Sequence, residues 1–182
     1  MNTRIVCAAV VVSAAASACS TYKTRVRSGG WPGVEARSQE VIEQFRQVDP
    51  TLQQFFDAAH AYAVFPKVTK GAAGIGAAQG HGAVYEGGIL VGHAILKQIT
   101  VGAQLGGKAY SELVFLEDLP TFEQFKKGDV QFSAQASEVA AAKGAAADAD
   151  YDEGVAIFTR SQRGLMFEAS IGGQKFSYTA TE

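Results

Sequence analysis

The stretch that decides the fold runs from residue 61 to residue 117 and reads AYAVFPKVTKGAAGIGAAQGHGAVYEGGILVGHAILKQITVGAQLGGKAYSELVFLE. Apolar and polar residues alternate through much of it, which is the period of a β-strand. Glu86-Gly87-Gly88 predicts a tight hairpin turn, and Gly106-Gly107 predicts a second turn. Because no helical segment interrupts these strands, we expect an antiparallel sheet. The pattern predicts six short strands, at residues 61–66, 74–80, 81–86, 89–96, 99–106 and 110–117.

Glycines recur inside these predicted strands. The chain has 20 Gly but only 4 Pro among 182 residues, so the glycines are expected in regular structure rather than in loops. A glycine inside a strand indicates a tight bend or the close approach of another backbone. We therefore expect a strongly curved, partly barrel-like sheet, with structural glycines at Gly74, Gly76, Gly80 and Gly82.

Helical patterns precede the predicted sheet. Ser38 is predicted to cap a first helix whose apolar face includes Ile42 and Phe45. Asp49-Pro50 predicts a second start, with Asp as the cap and Pro at the first helical position. An amphipathic pair of this kind can lie on a membrane, but its large apolar side chains favour packing on the sheet. The predicted fold class is α+β, with N-terminal helices packed on a curved antiparallel sheet.

The C-terminal third is less regular. Thr121 is predicted to cap a short helix through a capping box with Gln124, and Gly128 is predicted to end it. Residues 130–147 are compatible with either strand or helix. Closing strands are predicted at 155–160, 164–170 and 175–180, with turns at 161–163 and at Gly172-Gly173.

The N-terminus reads as an export signal. Residues 1–18 combine Arg4 with a short apolar stretch that ends in the small residues Ala16-Ser17-Ala18. Cys19 follows at once and resembles the lipidated cysteine of a bacterial lipobox, although Ala16 stands where Leu is usual. Lipidation would attach diacylglycerol to the thiol and an acyl chain such as palmitate to the new N-terminus. The alternative is a secreted protein with a free thiol.

These features predict the organisation of the chain. Residues 1–18 form the signal peptide, 19–36 the lipidated N-terminus and flexible tether, and 37–182 the domain. Ser20 is not Asp, which favours the outer membrane, on its periplasmic face or at the cell surface. Trp31, in the tether, is interpreted as a packing latch, with a ligand contact as the alternative. Cys7 would be removed with the signal, so no disulfide is expected in the mature chain.

Familiar catalytic motifs are incomplete. Gly74-Ile75-Gly76 starts a dinucleotide fingerprint, but Gln79 occupies the place of its third glycine. The stretch 102–108 has P-loop spacing, yet Ala109 stands where a Mg²⁺-binding hydroxyl is needed. The three His residues have no metal-ligand spacing. We therefore predict a non-enzymatic protein without metal or cofactor.

Charge is unevenly distributed although the formal net charge is only −2, which gives no indication of a nucleic-acid partner. Residues 117–153 carry nine acidic residues against three lysines, whereas Glu86 is the one acid between residues 60 and 110. Basic residues near a membrane attract anionic head groups at about 1 kcal/mol each. The lysines predicted to bind lipid are Lys67, Lys70, Lys97 and Lys108. A merely solvated face is the alternative.

A series of motifs in order resembles the SYLF domain family. They are Ala61–Lys67, Thr69–Gly71, Gly74–Gly76, Gly82–Gly88, Thr100–Gly107, Tyr110–Phe115, Phe125–Gly128 and Ser161–Leu165, so the resemblance covers roughly residues 38–178. The family includes bacterial exported proteins and lipid- and actin-binding modules of eukaryotic endocytic proteins. This chain departs from the pattern at 142–145 and at His81.

The resemblance implies phospholipid binding and supplies no catalytic residue. Together with Cys19, it predicts a phospholipid-binding lipoprotein of the cell envelope. The alternative is a structural or protein-interaction module that its lipid merely localises, with a partner that the sequence does not identify.

Overall fold

The computed structural model describes residues 31, 33–128, 131–132, 138–140, 144–161 and 172–181, and the structural statements below concern these residues. The predicted signal peptide, Cys19 and most of the predicted tether lie outside them, as does the predicted strand at 164–170.

The described residues form three α-helices and six strands. The helices are α1 (Val34–Val48), α2 (Gln53–Ala58) and α3 (Leu119–Lys127), and two 3₁₀ helices span Pro50–Leu52 and Ala145–Ala147. The strands are β1 (Ala61–Glu86), β2 (Ile89–Leu116), β3 (Gln131–Phe132), β4 (Glu138–Ala140), β5 (Val155–Ser161) and β6 (Gly172–Ala180).

One long hairpin dominates the fold. Strand β1 has 26 residues and β2 has 28, and they pair from Ala61 with Leu116 to Glu86 with Ile89. Gly87 and Gly88 form the predicted turn, with φ values of 55° and 81° that favour glycine. The prediction of six separate strands is wrong, because the ladder runs on through Gly106 and Gly107, which pair with Ala72 and Gly71.

Strand β2 is the centre of the sheet, whose main path is β3-β6-β2-β5-β4. Strand β1 pairs with β2, which also pairs with β6 through residues 92–100 and with β5 through residues 110–116. The predicted α+β class is confirmed. All described pairs are antiparallel except β4 with β5, so the wholly antiparallel prediction is wrong at this short pair. Among the described strands, β3 and β4 are the two ends of this path. They do not pair with each other, so the sheet is not closed into a barrel.

Strand β1 nevertheless bends back on itself. A Cβ added at Gly82 would lie 2.7 Å from the carbonyl oxygen of Val64 and 2.6 Å from the ring of Phe65. One at Gly80 would lie 2.8 Å from a methyl of Val68. These contacts join distant parts of a single strand, so no side chain fits at Gly82 without displacement. Gly76 is buried in the same strand, and the surroundings of Gly74 lie outside the described structure.

Two hydrophobic cores lie against the sheet. The first is built by both halves of the hairpin together with β5, β6 and α3, and includes Phe65, Leu96 and Phe176. The second joins Phe45 of α1 and Phe55 of α2 to residues of β2 and β5 such as Phe115 and Phe158. The expectation that the N-terminal helices cover the sheet is therefore confirmed.

Helix boundaries follow local chemistry, with two corrections. Helix α1 begins at Val34, after Gly33 at φ 80°, so Ser38 is a buried residue inside the helix rather than its cap. Helix α3 is capped by Asp118, whose carboxylate accepts a bond from the Thr121 N–H, so the predicted Thr121 cap is wrong. The predicted cap at Asp49 and the predicted end at Gly128 are confirmed.

The C-terminal predictions have mixed outcomes. The strands predicted at 155–160 and 175–180 are confirmed as β5 and β6. Gly172-Gly173 belongs to β6, so the turn predicted there is wrong. The ambiguous segment 130–147 contributes β3, β4 and a 3₁₀ helix within its described parts.

Candidate functional site: a basic groove beside helix α1

A cavity of about 370 Å³ lies between α1 and β1, and we call it the α1 groove. Two residues of α1 form one wall, and the other wall comes from two separate parts of the bent strand β1. The lining residues are Val34, Arg37, Pro66, Lys67, Thr69, Gln79 and His81.

A β-bulge positions Lys67 in this groove. Phe65 pairs with Glu112 and Val68 pairs with Tyr110, so Pro66 and Lys67 together stand opposite a single residue, Ser111. Proline has no N–H to give to a ladder, which is why it is tolerated at a bulge. The Ser111 hydroxyl donates to the Pro66 carbonyl at 2.9 Å. The bulge leaves Lys67 exposed beside α1.

The α1 groove carries cations without counter-charges. Arg37 is exposed, and its Nε donates to the Gly33 carbonyl at 2.9 Å. The ion pairs found among the described residues include neither Arg37 nor Lys67. No carboxylate belongs to the lining set. Thr69, Gln79 and His81 add groups that can donate hydrogen bonds.

The four predicted lipid-binding lysines do not form one cluster. Lys67 lines the groove, and exposed Lys97 pairs with Gln79, another lining residue, so it lies at the groove's edge. Lys70 lies three positions after Lys67, so its side chain is on the other face of the strand, and it is 4% exposed. Lys108 is exposed and stands opposite Lys70 in the ladder, away from the groove.

Sequence reasoning missed the other lining residues. Arg37 comes from α1, and Gln79 and His81 come from the returning half of β1, so only the fold unites them. The sequence did contain one indication of the site. Pro66 lies inside a strand pattern, which indicates a β-bulge, and a bulge changes the direction in which a side chain points.

The N-terminal end of the described chain packs beside the groove. The Trp31 ring meets His81 edge-on at a centroid distance of 4.8 Å and His93 at 5.2 Å. His93 Nε2 lies 3.1 Å from a carboxylate oxygen of Glu35 in the first turn of α1. The interpretation of Trp31 as a packing latch is confirmed.

A polar cluster lies in the interior, apart from the groove. Glu112 is fully buried and accepts a bond of 3.2 Å from the Gln174 amide, while the Tyr110 hydroxyl donates to buried Gln98 at 3.3 Å. Across the described residues, no group of three His, Cys, Asp or Glu side chains is arranged to hold a metal ion. The helices described here are all too short or too polar to cross a bilayer.

Comparison with known proteins gives one informative relative. No protein-family model matches the chain. The chain is 30% identical over 136 residues to beta cell expansion factor A of Aeromonas veronii, an alignment that covers 70% of this chain and 49% of that protein. The chain thus spans about half the length of the relative that it matches, and over that half the two proteins are similar.

Proposed function

We propose that this protein binds anionic phospholipid through the α1 groove, without catalysis, as a lipid-anchored protein of the cell envelope. The observation that carries the proposal is that Arg37 and Lys67 line one groove with no carboxylate in its lining set. A groove of one sign of charge attracts ligands of the opposite sign.

The chemistry of the lining suits a phosphate. The guanidinium of Arg37 offers a fork of donors that matches phosphate oxygens, and the ammonium of Lys67 adds a point charge that demands no fixed geometry. Thr69 and Gln79 supply neutral donors beside them.

The surface next to the groove extends the positive charge. Lys97 pairs directly with Lys175 of β6, and both side chains are exposed. Like charges directly opposite each other on a sheet repel, so an anion bound over this lysine pair would offset the repulsion.

The resemblance to the SYLF family supports the same ligand class, and we propose that residues 37–182 form such a domain with a strongly curved sheet. Lipidation at Cys19 would hold this domain close to a bilayer. Trp31 packs against His81, so the chain that comes from Cys19 would arrive beside the groove.

Vesicle flotation tests the proposal. The mature chain with Cys19→Ser, which removes the anchor, is mixed with vesicles with and without phosphatidylglycerol. We expect binding only to the anionic vesicles and weaker binding at 1 M salt, because the Debye length falls from about 10 Å at 0.1 M to about 3 Å.

Charge reversal locates the site. Lys67→Glu is expected to reduce flotation strongly, whereas Lys108→Glu makes the same change of charge away from the groove and serves as the matched control. Lys70 is unsuitable, because a substitution at this buried residue would test folding instead. Equal flotation of the two variants would show that the α1 groove is not the site.

The alternative is a protein-interaction module. Ile75 and Ile99 are 67% and 65% exposed, and they occupy diagonal positions on one face of β1 and β2. Exposed apolar neighbours of this kind are also found at protein interfaces. If no vesicle binds the parent, this second function takes first place.

A further inference from the structure

A second cavity lies next to the α1 groove, along the same helix. This cavity measures about 180 Å³, and Arg37 and Pro66 line both cavities. Helix α1 contributes side chains at helical spacing, which lie on one face, and β2 and β5 form the opposite wall. The complete lining is Arg37, Glu40, Val41, Gln44, Pro66, Ser111, Arg160 and Ser161.

Arg160 gives the second cavity its own cation. It lies near the end of β5, opposite Ser111 in the ladder, and is half-buried. Its Nη1 donates to Oε1 of Gln44, which orients the guanidinium toward α1. Within the described parts of the chain, none of the ion pairs includes Arg160.

One carboxylate reduces the positive charge. Glu40 lines the second cavity and accepts a bond of 3.1 Å from the Gln44 amide. Over both cavities together, the permanent charges are therefore Arg37, Lys67 and Arg160 against Glu40. The balance still favours an anion, and the cations are spread along the groove rather than gathered at one point.

We propose that the two cavities form one site for a lipid head group that carries two phosphates. Arg37 and Lys67 would hold one phosphate, and Arg37 and Arg160 the other. This inference rests on the proposed function and specifies its ligand. The α1 residues that line the site run from Val34 to Gln44, which at a rise of 1.5 Å per residue is about 15 Å, longer than one phosphate can occupy.

Vesicles of matched charge test the inference. One set contains diphosphatidylglycerol, which carries two phosphates, and the other contains phosphatidylglycerol at twice the mole fraction. We expect the Cys19→Ser chain to bind the first set about tenfold more tightly, the order of effect that one charge-assisted contact supplies. Equal binding to both sets would overturn the inference and leave the proposed function standing, whereas binding to neither would overturn both.

Substitution of Arg160 separates the two cavities. Arg160→Gln is expected to remove the preference for diphosphatidylglycerol while binding to phosphatidylglycerol persists. Arg160→Lys keeps the positive charge but loses the paired N–H donors of the guanidinium, so it should retain part of the preference for diphosphatidylglycerol. Arg46→Gln, on α1 outside both cavities, is the matched control, and thermal melting shows that each variant is folded. An Arg160→Gln variant that keeps the full preference would exclude the second cavity as a phosphate site.

A soluble compound distinguishes a lipid from a free ligand. Fructose 1,6-bisphosphate carries two phosphates without acyl chains, and calorimetric titration measures its binding to the same protein. We expect it to bind far more weakly than the vesicles do. Tight binding that depends on Arg160 would overturn the assignment to a lipid and give the site to a soluble bisphosphate.

Discussion

At Gly82 the backbone of β1 returns to an earlier part of the same strand. A methyl group there would lie 2.7 Å from the Val64 carbonyl oxygen, which is backbone and cannot rotate away. We therefore expect Gly82→Ala to lower the free energy of unfolding by about 1–3 kcal/mol, the usual cost of overpacking.

Gly71 is the matched control for this substitution. It lies in the same strand, is exposed, and has no atom within 4 Å of an added Cβ. Gly71→Ala should change the free energy of unfolding by no more than about 0.5 kcal/mol. Urea denaturation measures both variants, and equal midpoints would show that the close approach at Gly82 does not constrain the fold.

Asp49 connects the N-terminal helices to the segment at 144–147. It is 1% exposed, caps the first 3₁₀ helix through the Thr51 N–H at 3.0 Å, and accepts the Ala146 N–H at 2.9 Å. Burial acts to raise the pKa of the Asp49 carboxyl. The hydrogen bonds from Thr51, Ala146 and Gly144 outweigh burial, and the pKa lies below its ordinary value of 3.8.

The lowered pKa of Asp49 makes the free energy of unfolding depend on pH. A carboxyl whose pKa is lower in the folded protein stabilises it fully above the unfolded pKa, and that contribution is lost as pH falls through the folded pKa. We expect Asp49→Asn to cost about 1–2 kcal/mol at pH 7 and less at pH 3, because one of the two acceptor oxygens becomes an NH₂ group and leaves a buried N–H without its acceptor. Urea denaturation at both pH values measures the difference, and exposed Asp57→Asn is the control. An equal cost at both pH values would contradict the assigned role.

At the scale of elements, Trp31 fixes the start of α1 to the sheet. Its ring packs edge-on against His81 and His93, while Glu35 of α1 contacts His93. It is the one tryptophan of the chain, so the tryptophan fluorescence reports the surroundings of this ring. We expect His93→Ala to shift the emission to longer wavelength, because water would reach the ring. The protein should lose about 0.5–1.5 kcal/mol of stability, the order of one aromatic pair.

His60→Ala provides the comparison for this experiment. His60 lies 2.9 Å from Glu86 at the hairpin end and has no described contact with Trp31, so the emission should not move. An unchanged spectrum for His93→Ala would mean that Trp31 does not hold α1 in solution.

At the scale of the whole molecule, Cys19, which lies outside the described residues, is predicted to carry the membrane anchor. Its position directly after Ala16-Ser17-Ala18 predicts a diacylglyceryl thioether. Mass spectrometry of the mature N-terminus should show this adduct, and membrane fractionation should find the protein in the outer membrane. A wash at 1 M salt, which weakens the attraction of the groove to anionic lipid, should release the Cys19→Ser protein but not the parent, since acyl chains supply the stable attachment. An unmodified Cys19 on a protein free of membrane would refute the prediction.

Several features follow from the sequence because they depend on near neighbours. The Gly87-Gly88 turn requires positive φ, which glycine adopts without steric cost. The Asp49 cap and the Gly128 stop satisfy backbone groups within one turn of a helix. The alternation of apolar and polar residues distinguishes the strands from the helices, and the order of these elements indicates the α+β class.

Only the tertiary structure decided the rest, because it depends on contacts between distant residues. Six predicted strands became two, since each short segment finds its partner across the hairpin rather than at a local turn. The same pairing and the bend of β1 bury Lys70 and leave Lys67 exposed. Arg37, Lys67 and Arg160 come from α1, β1 and β5, and no local rule indicates that they line adjoining cavities. The burial of apolar surface between these elements determines which side chains meet, and that burial is a property of the whole chain.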